Sequence, residues 1–128
     1  NGAGLAMATM DMIALYSDNT LLAANFLDIG NDLHVDKLTL ALDLILSSPN
    51  VRTILITLFA AAHCVNAAQA ILGAVQRDTP PIIVFLSGID SDHGRSILDG
   101  AKHPMLISAG TLREATRRAI HATTTGET

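Results

Sequence analysis

Thr53-Ile54-Leu55-Ile56-Thr57-Leu58-Phe59 is a run of β-branched and leucine residues with almost no polar interruption. An uninterrupted run of this kind predicts a strand buried on both faces, the habit of parallel sheets covered by helices. A second such run, Ile82 to Leu86, follows Pro80-Pro81, which bar helix there. Between them, Ala61 to Arg77 predicts a helix with Val65, Ala68, Ile71, Leu72 and Val75 inward. Strand, helix and strand in this order imply a parallel pair with a right-handed crossover.

The same alternation extends in both directions. Upstream, Leu33 to Ser47 predicts a helix with Leu38, Leu42, Ile45 and Leu46 on one stripe, ended by Ser48-Pro49-Asn50. Asn25 to Ile29 is a short apolar run stopped by Gly30 and Asn31 and suits a strand. Gly4 to Ser17, rich in Ala, Leu and Met, suits a helix. Downstream, Ser91 or Asp92 can cap a helix running to about Gly100, and Met105 to Ile107 is a weak strand for a sheet edge. Thr111 and Glu114 have the spacing of a capping box before a last helix ending near Ala122, and Thr123 to Thr128 is a polar tail expected to fray. The expected fold is a three-layer α/β/α domain.

Composition narrows the function. In 128 residues, 49% are hydrophobic, which supports one domain with a packed core. A net charge of -4 and 3% aromatic content argue against nucleic acid or an anionic membrane surface as partner. Ile54 to Val75 is long enough to span a membrane, but His63, Asn66 and Gln69 interrupt it, so strand plus helix is the reading. No basic region precedes the first apolar stretch, so no signal peptide is expected. The single cysteine, Cys64, rules out an internal disulfide and fits a reducing compartment.

The opening Asn1-Gly2-Ala3-Gly4-Leu5-Ala6-Met7-Ala8-Thr9-Met10-Asp11 resembles the start of the C-terminal CoA-ligase domain of succinyl-CoA synthetase beta subunits. Asn25-Phe-Leu-Asp-Ile-Gly30 is similar to that family's NFLDVGGG element, and Ile45-Leu-Ser-Ser-Pro-Asn-Val51 to its ILSDPNV segment. Thr57-Leu-Phe59 stands where NIFGG would. The resemblance covers nearly the whole chain and fades after about Leu86. It implies a flavodoxin-like domain over residues 1–122, with a further strand ahead of the opening turn, inside the sheet. It also implies an acid–thiol ligase that joins a small carboxylic acid to CoA at the expense of ATP or GTP. The partners implied are an alpha-type CoA-binding subunit carrying a phosphohistidine and an upstream ATP-grasp domain holding nucleotide and magnesium. A cytoplasmic location, or the mitochondrial matrix in a eukaryote, goes with that family. This chain alone is expected to be inactive, and a homodimer of the isolated domain is a further expectation.

The resemblance also implies where ligands meet this chain. The family's glycines after the second strand open a helix whose N-terminus faces phosphate and substrate carboxylate. The matching positions are Ala60, Ala61, Ala62 and His63, and the substrate-contacting asparagine falls on Asn1. No catalytic residue and no metal ligand is expected. Departures gather at these positions: alanines replace the paired glycines, Gly30-Asn31-Asp32 replaces the triple glycine, and Phe85 and Ser87 replace the arginine and glutamate of RLEG. An alanine forced into the left-handed region costs about 1–2 kcal/mol, and Asp32 has the wrong sign for an anion site. These changes define the alternative, a degenerate paralogue kept as a structural or regulatory interaction module. A free-standing FMN or receiver protein is a third reading, but this chain lacks the aromatic stacking and acidic pocket such proteins need.

Read without the family, the same residues have plainer roles. His63 suits a helix first turn, where it caps or donates to a carboxylate. His34, His93, His103 and His121 show no ligand spacing. Cys64, set among Ala and Val, reads as a small buried hydrophobe. Asp28 ends an expected strand near the presumed crevice. Gly2-x-Gly4 alone is a weak phosphate-loop signal. Met7, Met10 and Met12 read as packing, and Arg113, Arg117 and Arg118 as a solvated face.

Overall fold

In the computed structural model, which describes residues 1–30, 34–76 and 78–128, three parallel strands carry helices on both faces. In chain order these are α1 (Ala3–Tyr16), α2 (Val35–Leu46), β1 (Ile54–Ala61), α3 (Cys64–Ala74), β2 (Ile82–Gly88), α4 (Ser91–Gly100), β3 (Leu106–Ala109) and α5 (Leu112–Thr125). The sheet order is β1-β2-β3, with Ile54 beside Ile82 and Ile82 beside Leu106. The arrangement is the α/β/α sandwich expected from the alternation, of the flavodoxin-like kind that the resemblance implies.

β2 is central, and Ile82 to Leu86 are all buried. One face of the sheet packs Ile54, Ile56, Leu58, Val84 and Leu86 against α2, α3 and α4. The other sets Ile83, Phe85 and Ala109 against α5, where Ala115 and Ala119 let the backbones approach closely. α1 lies beside α5 on that second face.

The first run does not behave as its composition suggests. Alternate residues of β1 are buried, whereas Leu55 and Thr57 are half-covered and Phe59 is 59% exposed. The cause is position, because β1 lies at an edge of the described sheet. The main-chain N–H of Ile54 donates to Pro81 O, so Ile54, Ile56 and Leu58 address β2. Leu55, Thr57 and Phe59 therefore present their backbone groups to the outer edge. There Asn1 alone, among the described residues, pairs with the strand. Its main-chain N donates to Thr57 O at 2.6 Å, and its side-chain amide exchanges bonds with Phe59 N and O at 2.7 and 3.1 Å.

Beyond that edge lies a largely apolar cleft of about 490 Å³, with Thr9, Met10 and Ile13 on one side and Phe26, Leu27 and Ile29 on another. It explains a second correction: Asn25 to Ile29 forms no strand. A strand is held by hydrogen bonds to a neighbour, and the cleft separates this segment from β1.

Several boundaries also move. α3 starts three residues after the expected Ala61, because β1 continues through that residue. It ends at Ala74 with Val75 extended, and the expected terminus Arg77 lies outside the described residues, as do Leu33, Asn31 and Asp32. The N-cap of α4 is Asp90, in a left-handed conformation and without a side-chain cap, rather than Ser91 or Asp92. The last helix continues to Thr125 and is closed by left-handed Gly126. Thr123, expected to fray, donates to Thr53 Oγ1 at 2.8 Å and is fixed by tertiary contact.

The capping box forms with a shift of one residue. Thr111 Oγ1 accepts from Glu114 N at 3.0 Å, while Glu114 Oε2 reaches back to Gly110 N at 2.9 Å. That backbone donor, followed by the bond and charge of Arg118, holds the Glu114 carboxyl below its ordinary pKa. A depressed folded pKa gives stability that is full above the unfolded value and lost as pH falls through the folded one. Glu114→Gln is therefore expected to flatten the acid limb of a stability–pH curve below about pH 4.3 while changing little at pH 2. The unpaired edge of β1 is an association hazard, so the 128-residue chain should self-associate or capture an extended segment. A monodisperse monomer in sedimentation, with both sheet edges protected from hydrogen exchange, would contradict this.

Candidate functional site

The carboxyl ends of parallel strands are where open α/β sheets place ligands, and here that end of β1 is irregular. Leu58 pairs with Leu86 and Ala61 with Gly88, so Phe59 and Ala60 oppose the single residue Ser87. The extra residue makes a β-bulge with Ala60 at φ 54, the left-handed conformation that glycine would take without strain. Gly88 closes the bulge from the β2 side at φ 139, and a Cβ there would overlap the Ala61 backbone. Ala60 thus occupies a position whose geometry asks for glycine.

The bulge delivers the chain into α3. Ala62 and His63 are exposed, and His63 is the N-cap, without a side-chain capping bond. The first hydrogen bond at this end joins Ala67 N to His63 O, which leaves the amides of Cys64, Val65 and Asn66 without intrahelical partners. Cys64 itself is 0% exposed. Burial first, and the charge of Asp90 second, push its thiol pKa up, so it is a packing residue.

A small cavity of about 160 Å³ lies between the starts of α2 and α3, lined by His34, Val35, Leu38, His63, Asn66 and Ala67. His34 is the N-cap of α2 as His63 is of α3. Two helix N-termini and two imidazoles thus share one recess, and such ends favour anions through free N–H groups and the helix dipole. Sequence spacing separates the two histidines by 29 positions and offered no signal for His34. A Cβ at Gly30 would stand 3.9 Å from Lys37 Nζ, which places an ammonium near the loop before α2.

The expected site residues therefore divide. Ala62 and His63 stand at the mouth of α3, whereas Ala60 and Ala61 belong to the strand end that leads there. Asn1 lies at the same end of β1, with its amide engaged by the Phe59 backbone. Among the described residues no three His, Cys, Asp or Glu side chains are grouped to hold a metal ion, and no helix is long and apolar enough to cross a membrane.

A three-layer domain with a parallel sheet and a recess at the strand ends belongs to the flavodoxin-like α/β class. Comparison with known proteins makes this specific. The CoA-ligase family model matches residues 1–125, and the chain belongs to that family. It is 41% identical over 125 residues to the ADP-forming succinate–CoA ligase subunit beta of Roseiflexus sp. (strain RS-1), covering 95% of this chain and 31% of that protein. Identity is 42% to the corresponding Chloroflexus aggregans subunit, with the same coverages. It is 37% to the subunit beta 2 of Streptomyces coelicolor, over 100% of this chain and 33% of that protein. The chain spans about a third of the length of these relatives.

The bulge gives a direct test of strain. Relieving the left-handed alanine should gain about 1–2 kcal/mol, against about 0.4–1 kcal/mol of added freedom in the unfolded chain. Ala60→Gly should therefore stabilise the domain by up to about 1.6 kcal/mol in urea denaturation, and a destabilised variant would show that Ala60 is unstrained.

Proposed function

We propose that this domain serves an NTP-dependent acid–CoA ligase of the succinate–CoA ligase type, as the CoA-ligase portion of a beta subunit. In this reading the N-terminus of α3 supplies half of a phosphate and carboxylate site, and an alpha-type CoA-binding subunit supplies the other half. Nucleotide and magnesium belong to an upstream ATP-grasp domain. Among the described residues no three ligating side chains are grouped, and no step here runs through the ion. The observation that carries the reading is the recess where two helix N-termini and two histidines converge, in a chain of the CoA-ligase family.

The chemistry asked of this chain is electrostatic. The unpartnered amides at Cys64, Val65 and Asn66 can receive oxygens of a phosphoryl group or a carboxylate, and His63 can donate one hydrogen bond. Donors fixed by the fold need no reorganisation as charge moves between phosphoryl and acyl groups. Alanine in place of glycine at the bulge leaves these amides intact and adds methyl groups near the approach. The recess should therefore bind anions more weakly than a glycine-lined one.

Sulfate, phosphate or a small dicarboxylate should bind in the millimolar range, equivalent to about 4 kcal/mol. The doubly substituted Ala60→Gly, Ala61→Gly chain should bind more tightly. Amide shifts of Ala61 to Asn66 in an NMR titration measure both, and a lack of shifts in either protein would remove the site. Because nucleotide and phosphohistidine lie on other parts of the proposed enzyme, the 128-residue chain alone should form no acyl-CoA. Turnover by the purified chain would overturn that division of labour.

A further inference from the structure

We propose that the outer face of α5 is a docking surface for an acidic protein segment, with Arg113, Arg117 and His121 as its contact row and Arg118 at its side. α5 buries Ala115, Thr116, Ala119 and Ala122, which leaves Arg113, Arg117 and His121 exposed on the opposite side. Spaced four residues apart, they form one row with about 6 Å between successive members. Arg118 stands beside them, and all four border one open depression. Three of the chain's eight lysines and arginines are thereby gathered on one helix of a protein whose net charge is -4.

The row does nothing for the helix that bears it. Arg113 lies in the first turn, where the helix dipole disfavours a cation. Arg113 and Arg117 are like charges four residues apart, which weakens a helix, and His121 extends the repulsion when protonated. Nor does the rest of the chain neutralise the row. Glu114, the acid of the first turn, is engaged by Arg118 Nε at 3.0 Å and by Gly110 N at 2.9 Å. The Arg117 guanidinium rests 5.2 Å from the centre of the Tyr16 ring, a contact that steadies it without cancelling its charge. Among the described residues no ion pair reaches Arg113, Arg117 or His121. A row that is unfavourable on its own helix and lacks counter-charges is completed by carboxylates brought from outside.

The partner's chemistry follows from the shape of the row. Its donors are strung along about 12 Å of helix rather than converging on one point, so they suit a series of carboxylates and not a single phosphate. Side chains on one side of an extended segment repeat every 6–7 Å or so, and those four apart on a helix about every 6 Å. An acidic segment in either form meets the row in register. A nucleic acid also carries serial anions, but the net charge of -4 repels a long polyanion and 3% aromatic content offers little stacking. α5 covers the face of the sheet away from α2 and α3, so docking there does not depend on the anion recess.

A fluorescent oligoglutamate of about ten residues, long enough to span the row, should bind the 128-residue chain at low salt and more weakly as ionic strength rises to about 0.15 M. Arg113→Ala should weaken binding about threefold, and Arg113→Ala combined with Arg117→Ala and His121→Ala about tenfold. Lys102→Asn removes an equal charge just after α4, at a left-handed position that asparagine tolerates, and should bind like the parent. Arg113→Ala should also leave the urea midpoint unchanged or raise it, which loss of a structural arginine would not do. Should the triple variant fail to fold, Arg113→Glu should bind more weakly than Arg113→Ala and decides the matter. No binding by the parent, equal binding by the row variants, or an equal loss in Lys102→Asn would overturn the proposal. So would equal affinity for a single-stranded DNA of the same charge.

Discussion

Five consecutive residues of β2, Ile82 to Leu86, are buried, so their main-chain groups have no water to bond and must be satisfied within the sheet. β1 and β3 exist to meet that demand, one on each side, and the helices exist to cover what the three strands cannot. An unpaired buried amide or carbonyl costs about 1–3 kcal/mol, so the register of both ladders is held firmly. At the carboxyl end the demand lapses, since Gly88 is exposed. That is where β1 can take in an extra residue and turn toward α3. The site thus begins where the central ladder stops constraining the chain.

The bulge then shapes everything that a ligand would meet. It sets the direction of α3, the placing of His63 at its cap, and the close passage of Gly88 against Ala61. Family membership is borne by the whole chain, yet the alanines lie at the point where backbone conformation is least forgiving. Replacing glycine there changes strain and access before it changes any hydrogen-bond donor. Loss of the glycine pattern is for that reason a milder event in the fold than it looks in the sequence.

The interior of the fold was legible because its signals were local. Ile82 to Leu86 could be read from five residues and the prolines before them, and α5 from Thr111 and Glu114. The family's glycines marked Ala60 as a departure, and its left-handed φ of 54 is what the structure added. What escaped were properties set by neighbours distant in sequence. Asn25 to Ile29 has strand composition but nothing adjacent to pair with, and the burial of Leu55 and Phe59 depended on which strand would be at the edge. His34 meets His63 only because two helices start side by side, and Thr123 is ordered by a hydroxyl 70 positions away. Composition describes what a segment can do; its neighbours decide which of those things it does.

α1 carries apolar side chains around its whole circumference, with Met7 and Leu15 outward at 62% and 68% exposure and Thr9 its only buried residue. A helix with a greasy side and a wet side is held in rotation by the difference between them; this one lacks that preference. Its azimuth is set by two pins instead. At mid-helix, Thr9 Oγ1 meets Thr57 Oγ1 at 3.3 Å, and at the C-terminal end the Arg117 guanidinium lies 5.2 Å from the centre of the Tyr16 ring. Rolling the cylinder about its axis would exchange one oily surface for another until it brought the exposed Asp11 inward. α1 is therefore the element of this domain best able to re-seat itself against a new neighbour without unfolding.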